Sequence, residues 1–141
     1  MAPKTISLNF IGYWREKAIS GISNESGIYV VYECFYDPQT VKVNLKKIIY
    51  IGEGEEVQNR IAKHEKWPEW RNSCGINNEL CFSYAPVINP DRERGEAALI
   101  YKHKPPVNEE HKYNFSYDET TMSLSGEAGL LTTYFTVLRN D

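Results

Sequence analysis

The sequence predicts an α+β domain in which helices flank a small mixed or antiparallel β-sheet of about three core strands, with a C-terminal strand extension. Runs rich in β-branched and aromatic residues alternate with two helical segments, which is typical of this class. The length of 141 residues suits one domain, and no internal repeat or Gly/Ser-rich linker divides the chain. We therefore expect a single domain over 1–141, with a core over 25–110 and a β extension over 111–141.

The N-terminal third supplies two predicted strands. Residues 5–20 show no clean period, and both a strand and a short helix fit them. A turn signal over 24–27 leads into the run 28–35, which is rich in β-branched and aromatic residues. Asp37-Pro38 ends this strand, because proline lacks the amide that a ladder requires. Residues 47–52 form the second strand, which we expect to pair antiparallel with the first.

The rest of the chain adds two helices and two strands. Prolines end both helical segments, because the residue before a proline is pushed out of the helical region. The first segment carries two glutamates at its positive end, where they are stabilising. The predicted elements are a helix over 55–67, a strand over 80–85, a helix over 91–103 and a strand over 130–138.

Composition excludes several protein classes. Hydrophobic residues make up 41% and charged residues 25%, which excludes a disordered or fibrous chain. No apolar run reaches the roughly 18 residues of a membrane span, so we expect a soluble, cytoplasmic protein. Three cysteines without a CxxC motif indicate neither a disulfide framework nor a zinc ribbon. A net charge of −3 argues against a nonspecific nucleic-acid coat, so any nucleic-acid contact requires a local patch.

Polar and aromatic residues cluster on and after the first helix. Arg60 and His64 are four residues apart, so their side chains are neighbours, and Lys63 widens that patch. The patch fits either a functional site or an ordinary solvated helix face. Trp67 and Trp70 follow, and they fit either base stacking or packing onto the core.

Three further residues have two interpretations each. Glu96 lies one turn inside the second helix, where its carboxylate could enter a cleft or face solvent. Tyr29 and Tyr50 lie on the paired strands, where most tyrosines are core or edge aromatics. Spacing alone does not choose between these interpretations.

The combination of these residues resembles the GIY-YIG nuclease family. Gly27-Ile28-Tyr29 on one strand and Tyr50-Ile51-Gly52 on the next spell its two motifs. Arg60 lies eight residues after Gly52, where the family has its arginine, and His64 follows one turn later. Glu96 matches the family's metal-binding glutamate and Asn108 its asparagine after the second helix. The resemblance spans about residues 25–110.

The resemblance implies a metal-dependent endonuclease that hydrolyses phosphodiester bonds in DNA by a one-metal mechanism. Mg²⁺ or Mn²⁺ would be held by Glu96. Tyr50 would act as general base, Tyr29 would orient the water or the base, and Arg60 would stabilise charge on the phosphate. His64 would donate to the phosphate or assist proton transfer.

The remaining expectations concern substrate and assembly. Lys63 and Asn108 are the predicted substrate-binding residues. DNA is the expected partner and RNA stays open. The chain is expected to act as a monomer or a homodimer, away from membranes.

One departure from the family pattern concerns charge. Glu53 stands directly after the second motif, and Glu55 and Glu56 follow, which should weaken binding of a polyanion. Positive charge would then come from elsewhere, with these candidates: Lys63, Lys66, Arg71, Lys102 and Lys104. The alternative is a catalytically weak or inactive nucleic-acid-binding or interaction module on the same scaffold. A third interpretation, an unrelated domain with coincidental tripeptides, predicts that Arg60 and Glu96 do not converge.

Overall fold

The computed structural model describes residues 2–141 and contains one six-stranded mixed sheet. The strands are β1 (Lys4–Arg15), β2 (Gly27–Asp37), β3 (Lys42–Gly54), β4 (Glu79–Pro86), β5 (Thr120–Gly126) and β6 (Tyr134–Val137). The helices are a 3₁₀ helix (Glu16–Gly21), α1 (Val57–Ala62), α2 (Trp67–Asn72) and α3 (Asp91–His103). Within residues 2–141, no helix has the length and apolar character needed to cross a membrane.

The strand order is β3-β2-β4-β1-β5-β6, and β1 pairs parallel with β5 while all other neighbours are antiparallel. β2 and β3 form a hairpin whose turn is held by Asp37, since its carboxylate accepts from the Gln39 amide (2.9 Å) and from the Thr40 hydroxyl (3.0 Å). In this hairpin Tyr29 lies opposite Gly52. The antiparallel pairing predicted for the first two strands is confirmed.

The predicted architecture, a sheet of about three core strands flanked by helices, is wrong. Strands account for 41% of the chain and helices for 22%, and the six strands form one curled sheet. β1 was not resolved by sequence because its alternation of buried Ile6, Leu8 and Phe10 gives way to a register shift after Gly12. β5 was missed because Ser and Thr occupy four of its seven positions, which hides the buried Met122 and Leu124.

Side chains of β2 alternate between two buried clusters, one on each face of the sheet. The cluster on one face joins Ile28 and Val30 to the apolar side of α3, residues 97–100. The cluster on the other face joins Tyr29 and Val31 to α1, α2 and the 3₁₀ helix. Because α3 contacts β2, β3, β5 and β6, both ends of the curled sheet meet this helix.

The helices confirm one sequence expectation and correct another. α3 spans 91–103 as expected, with Asp91 and Glu93 in its first turn. The helix expected over 55–67 is instead two short helices of six residues each. α1 ends at Ala62. The backbone amide of Lys66, the residue just before α2, donates to the side-chain Nδ1 of His64 (3.0 Å). Pro68 suits the first turn of α2, where its missing amide has no helical acceptor.

Candidate active site

A cavity of about 410 Å³ lies beside β3, where α1, α3 and the segment after α3 meet. Its walls include four residues expected at the site: Tyr29, Tyr50, Arg60 and Glu96. They come from four elements and span 67 positions of the chain. The other lining residues are Glu53, Glu93, Glu110, His111 and Tyr117. Arg60 and Glu96 line the same cavity. An unrelated domain with coincidental tripeptides predicts that these two residues lie apart, so this arrangement disagrees with that interpretation.

The hairpin pairing places the two tyrosines together. Tyr29 lies opposite Gly52 and Tyr50 lies opposite Val31, so the two phenols are diagonal neighbours, with ring centroids 6.4 Å apart. Gly52 is required by this arrangement, because any side chain there would overlap the Tyr29 phenol. Gly27 is confined as well, since a Cβ there would lie 2.6 Å from the Ala85 carbonyl oxygen. Gly52 therefore serves close packing against Tyr29, and Gly27 serves the close approach of β2 to β4.

Both phenols are harder to ionise than free tyrosine. Burial raises the pKa of Tyr29 well above its usual value, and that side chain is only 1% exposed. Burial, followed by the charge of Glu96, raises the pKa of Tyr50 to about 12, and Arg60 opposes this shift. In the chain by itself, Tyr50 is a neutral phenol at neutral pH. The sign of this shift is opposite to the one that a general base needs.

Arg60 reaches the cavity from α1 and is held by a neighbour. Its two terminal nitrogens donate to the two carboxylate oxygens of Glu65, at 3.1 and 2.9 Å. This bidentate pair lowers the pKa of Glu65. The Arg60 side chain remains 42% exposed, so the planar fork is accessible to an oxyanion that displaces Glu65.

Glu96 projects into an acidic environment from one turn inside α3. Burial first, then the charges of Glu53, Glu110 and Glu93, raise its pKa to about 8. Arg60 is the cation that opposes this shift. The carboxyl group is therefore largely protonated at pH 7 unless further positive charge enters the cavity.

His64 lies behind Tyr50 and does not line the cavity that Glu96 lines. Its side chain is 1% exposed, and its ring centroid is 5.1 Å from that of Tyr50 and 4.6 Å from that of Trp70. Burial, followed by Arg60, lowers its pKa to about 4, which outweighs Glu65 Oε2 at 3.1 Å from Nδ1. Nδ1 accepts from the Lys66 amide, so the neutral ring carries its proton on Nε2, which has no partner in the described structure.

Asn108 lines an adjoining cavity of about 210 Å³ that Tyr50, Arg60 and Glu96 also line, whereas Lys63 lines neither cavity. The Ile51 amide donates to Asn108 Oδ1 and Asn108 Nδ2 donates to the Ile51 carbonyl, both at 2.9 Å. This pairing ties the segment after α3 to the free edge of β3 and so brings Glu110 to the cavity. Lys63 lies on the outer side of α1, in an open hollow shared with Arg60. Substrate binding by Asn108 and Lys63 stays a prediction.

The acidic residue after the second motif has a partner that sequence reasoning missed. Arg92 Nε donates to Glu53 Oε1 at 2.6 Å, and Arg92 Nη1 donates to the Ser26 hydroxyl at 2.9 Å. Arg92 is only 7% exposed, whereas the Glu53 side chain is 25% exposed, so the arginine is shielded from water and the carboxylate only partly. Lys66, one of the expected compensating cations, pairs instead with Glu109. No sequence pattern connects positions 53 and 92, because only the fold brings α3 to the end of β3.

Between residues 2 and 141, no set of three or more His, Cys, Asp or Glu side chains is arranged to hold a metal ion. A cation at this cavity would have Glu96 as its one carboxylate ligand and would keep most of its waters. Mg²⁺ binds in this way, through one or two carboxylates with substrate phosphate and water.

Comparison of the chain with protein-family models, with curated proteins and with solved structures gives no match. The likeness to GIY-YIG nucleases therefore rests on the chain's own residues and on where the structure places them.

Proposed function

We propose that this protein is a metal-dependent endonuclease that hydrolyses phosphodiester bonds in DNA, with a site similar to that of GIY-YIG nucleases. One observation carries the proposal: Tyr50, Arg60 and Glu96 come from a strand and two helices and line the same cavity. A phenolate, a guanidinium and a carboxylate are the groups needed to accept a proton, bind a phosphate and hold a divalent cation.

The donor chemistry of the cavity fits Mg²⁺ or Mn²⁺. Oxygen ligands suit these hard cations, and the carboxylates of Glu53, Glu93 and Glu110 that disfavour the Glu96 anion also favour a cation beside it. The acidic surroundings thus agree with cation binding at Glu96. When bound, such a cation polarises a phosphate oxygen and neutralises negative charge in the cavity.

Each residue at or beside the cavity has a distinct role in the proposal. Tyr50 accepts the proton of the attacking water as its phenolate, after its own proton has gone to solvent, which requires added positive charge in the cavity to lower its pKa from about 12. Tyr29, packed beside it and buried, fixes the position of that ring. Arg60 binds the phosphate through its planar fork once Glu65 is displaced. His64 packs its ring edge against Tyr50, which positions the phenol from behind.

The second candidate function is a nucleic-acid-binding or interaction module with little or no catalysis. Two observations favour it: the pKa of Tyr50 is raised to about 12, and Glu93, Glu96 and Glu110 line the cavity with few opposing cations. A polyanion approaches such a surface only against electrostatic repulsion, so the acidic lining favours an interaction module over a nucleic-acid-binding one. The two candidates differ in whether the purified chain cuts DNA.

The test is cleavage of supercoiled plasmid and of single-stranded DNA in Mg²⁺, in Mn²⁺ and in EDTA. Wild-type protein should cut with either metal, and Glu96→Gln should reduce the rate by at least about 100-fold, as expected when a metal ligand is lost. Glu127→Gln, an exposed carboxylate away from the cavity, is the matched control and should cut normally. Folded wild-type protein that cuts neither substrate in either metal would support the binding module instead.

The proposal also places the protein in the cytoplasm. Cys34, Cys74 and Cys81 are all free thiols, and Cys34 and Cys81 are buried on neighbouring strands. Unpaired cysteines are typical of a reducing compartment.

A further inference from the structure

We propose that a groove at the C-terminal end of α3 is a second nucleic-acid site, which binds an unpaired strand extending from the cleaved phosphate. This inference rests on the proposed function, because it describes how the same substrate is held. The groove has a volume of about 530 Å³ and lies between the end of α3 and the chain from β6 onward. Residues that carry the argument are Tyr101, Lys102 and Lys104 on its helical side and Arg139 and Asn140 on the other.

The groove contains two lysines that form no salt bridge, Lys102 and Lys104, whereas its Arg139 pairs with Asp118 and Asp141. The chain has ten lysines, and only Lys4, Lys47 and Lys66 form salt bridges among residues 2–141. Two of the other seven, Lys102 and Lys104, line the groove, and Lys104 Nζ donates to the backbone carbonyl of Lys112. The cavity at Glu96, by contrast, is acidic. The acidic cavity repels a polyanion, and the lysines of the groove supply the positive charge that attracts it.

Aromatic rings lie among these cations. Lys104 Nζ lies 3.9 Å from the centre of the Tyr101 ring and 5.4 Å from that of Tyr113. Tyr113 is 71% exposed. Asn140 Nδ2 donates to the Tyr101 hydroxyl at 2.7 Å, which fixes that ring from the opposite wall. The exposed Tyr113 ring beside Lys104 is suited to stacking with a base while the ammonium group contacts a phosphate.

The groove is continuous with the cavity along one stretch of chain. Glu110 and His111 line the cavity, and the next two residues, Lys112 and Tyr113, lie against Lys104. Along α3, Glu96 and Lys104 are eight residues apart, which is about 12 Å at 1.5 Å per residue. That distance corresponds to roughly three to four nucleotides at 3.4 Å each. An unpaired strand fits this arrangement, because only unpaired bases present free faces to the exposed Tyr113 ring.

The experiment measures binding without cleavage. Fluorescence anisotropy of a labelled oligothymidylate of about 20 nucleotides is recorded in EDTA with the full chain, over a series of salt concentrations. Lys102→Glu and Tyr113→Ala should each raise Kd at least about fivefold, and Lys102→Glu should reduce the salt slope by about one. The matched control is Lys17→Glu, an exposed lysine without a salt bridge on the 3₁₀ helix, which packs on the other face of the sheet. It should leave Kd within about twofold of wild type.

Separate outcomes identify which proposal fails. Equal affinities for wild type and both groove variants, equal losses in Lys17→Glu, or no binding by folded wild type would overturn the groove. If the groove variants lose affinity but wild type does not cut DNA, the groove stands and the nuclease proposal fails. If wild type cuts plasmid in Mg²⁺ and the groove variants bind like wild type, the nuclease stands and the groove fails. Far-ultraviolet circular dichroism confirms that each surface variant is folded.

Discussion

Arg60 and Glu65 form a two-point salt bridge at the mouth of the cavity, with nitrogen–oxygen distances of 3.1 and 2.9 Å. The group proposed to bind phosphate is therefore already occupied by a carboxylate of its own chain. Both side chains are well exposed, at 42% and 65%. The pair therefore orients Arg60, and a phosphate can replace Glu65 at a small cost in free energy. Exposed pairs of this kind are worth about 0.2–1 kcal/mol.

Glu65→Gln should strengthen DNA binding by freeing Arg60. The expected decrease in Kd is up to about fivefold, which corresponds to the upper end of the exposed-pair energies. Stability should change by less than about 1 kcal/mol for the same reason. Anisotropy with a labelled oligonucleotide in EDTA measures the affinity. Glu109→Gln removes an equal charge close by, from a residue that pairs with Lys66 and not with Arg60. If both variants bind equally tightly, the gain is general electrostatics and Glu65 does not compete with the substrate.

Gly52→Ala should destabilise the protein by about 1–3 kcal/mol, the usual cost of overpacking a buried site. The added methyl group would overlap the Tyr29 phenol, whose ring is buried against β3. Urea unfolding at pH 7 measures the free energy. Gly54→Ala is the matched control, because its nearest neighbour would be Arg60 Cβ at 3.4 Å, an ordinary contact.

A double-mutant cycle identifies the clash. Tyr29→Phe removes the hydroxyl closest to the new methyl group, so Gly52→Ala should cost less in the Tyr29→Phe background than in wild type. Equal costs in both backgrounds would mean that the methyl group is opposed by the ring carbons of Tyr29 and not by its hydroxyl.

Local pattern predicted what lies within one element, and the fold decided the rest. The helix over 91–103 and the 28–35 and 47–52 strands were predictable, because periodicity, turn residues and prolines act over a few positions. The place of β1 beside β5 was not, since pairing between residues 4–10 and 120–126 depends on contacts across the whole chain. Motif spacing indicated the cavity residues, and nothing local indicated the Arg92–Glu53 pair.

At the site, too, the sequence gives the identity of a side chain, whereas the fold decides its burial and its pKa. Sequence proposed Tyr50 as a base without information on its surroundings, and the packing of α3 against β3 then sets its pKa to about 12. Trp70 was compatible with base stacking, yet it is fully buried against the ring of His64. Side-chain identity is local information, whereas burial and charge environment are properties of the assembled sheet.

His64 should make the protein less stable in mild acid. Its pKa is about 4 in the folded chain and 6.5 in the unfolded chain, so between these values only the unfolded state binds the proton. Stability from this group is complete above pH 6.5 and is lost as pH falls toward 4. Between pH 7 and pH 5 the loss is about 2 kcal/mol. Urea unfolding at both pH values, in wild type and in His64→Asn, measures it. His64→Asn should lose about 2 kcal/mol less than wild type over this interval; an identical loss in both proteins would show that other groups cause the acid sensitivity.

Glu96 should respond to pH with the opposite sign, and a divalent cation should reverse the effect. Its folded pKa of about 8 lies above the unfolded value of 4.5, so the folded state holds the proton more tightly and loses stability as pH rises from 4.5 through 8. At pH 8.5 in EDTA, Glu96→Gln should melt about 3–8 °C above wild type, the shift expected for 1–2 kcal/mol in a domain of this size. Mg²⁺ or Mn²⁺ should raise the melting temperature of wild type and leave that of Glu96→Gln unchanged, because only the carboxylate holds the cation. Glu127→Gln should behave like wild type in both buffers. A cation-dependent shift of equal size in Glu96→Gln would place the cation elsewhere and would remove the metal ligand from the proposed mechanism.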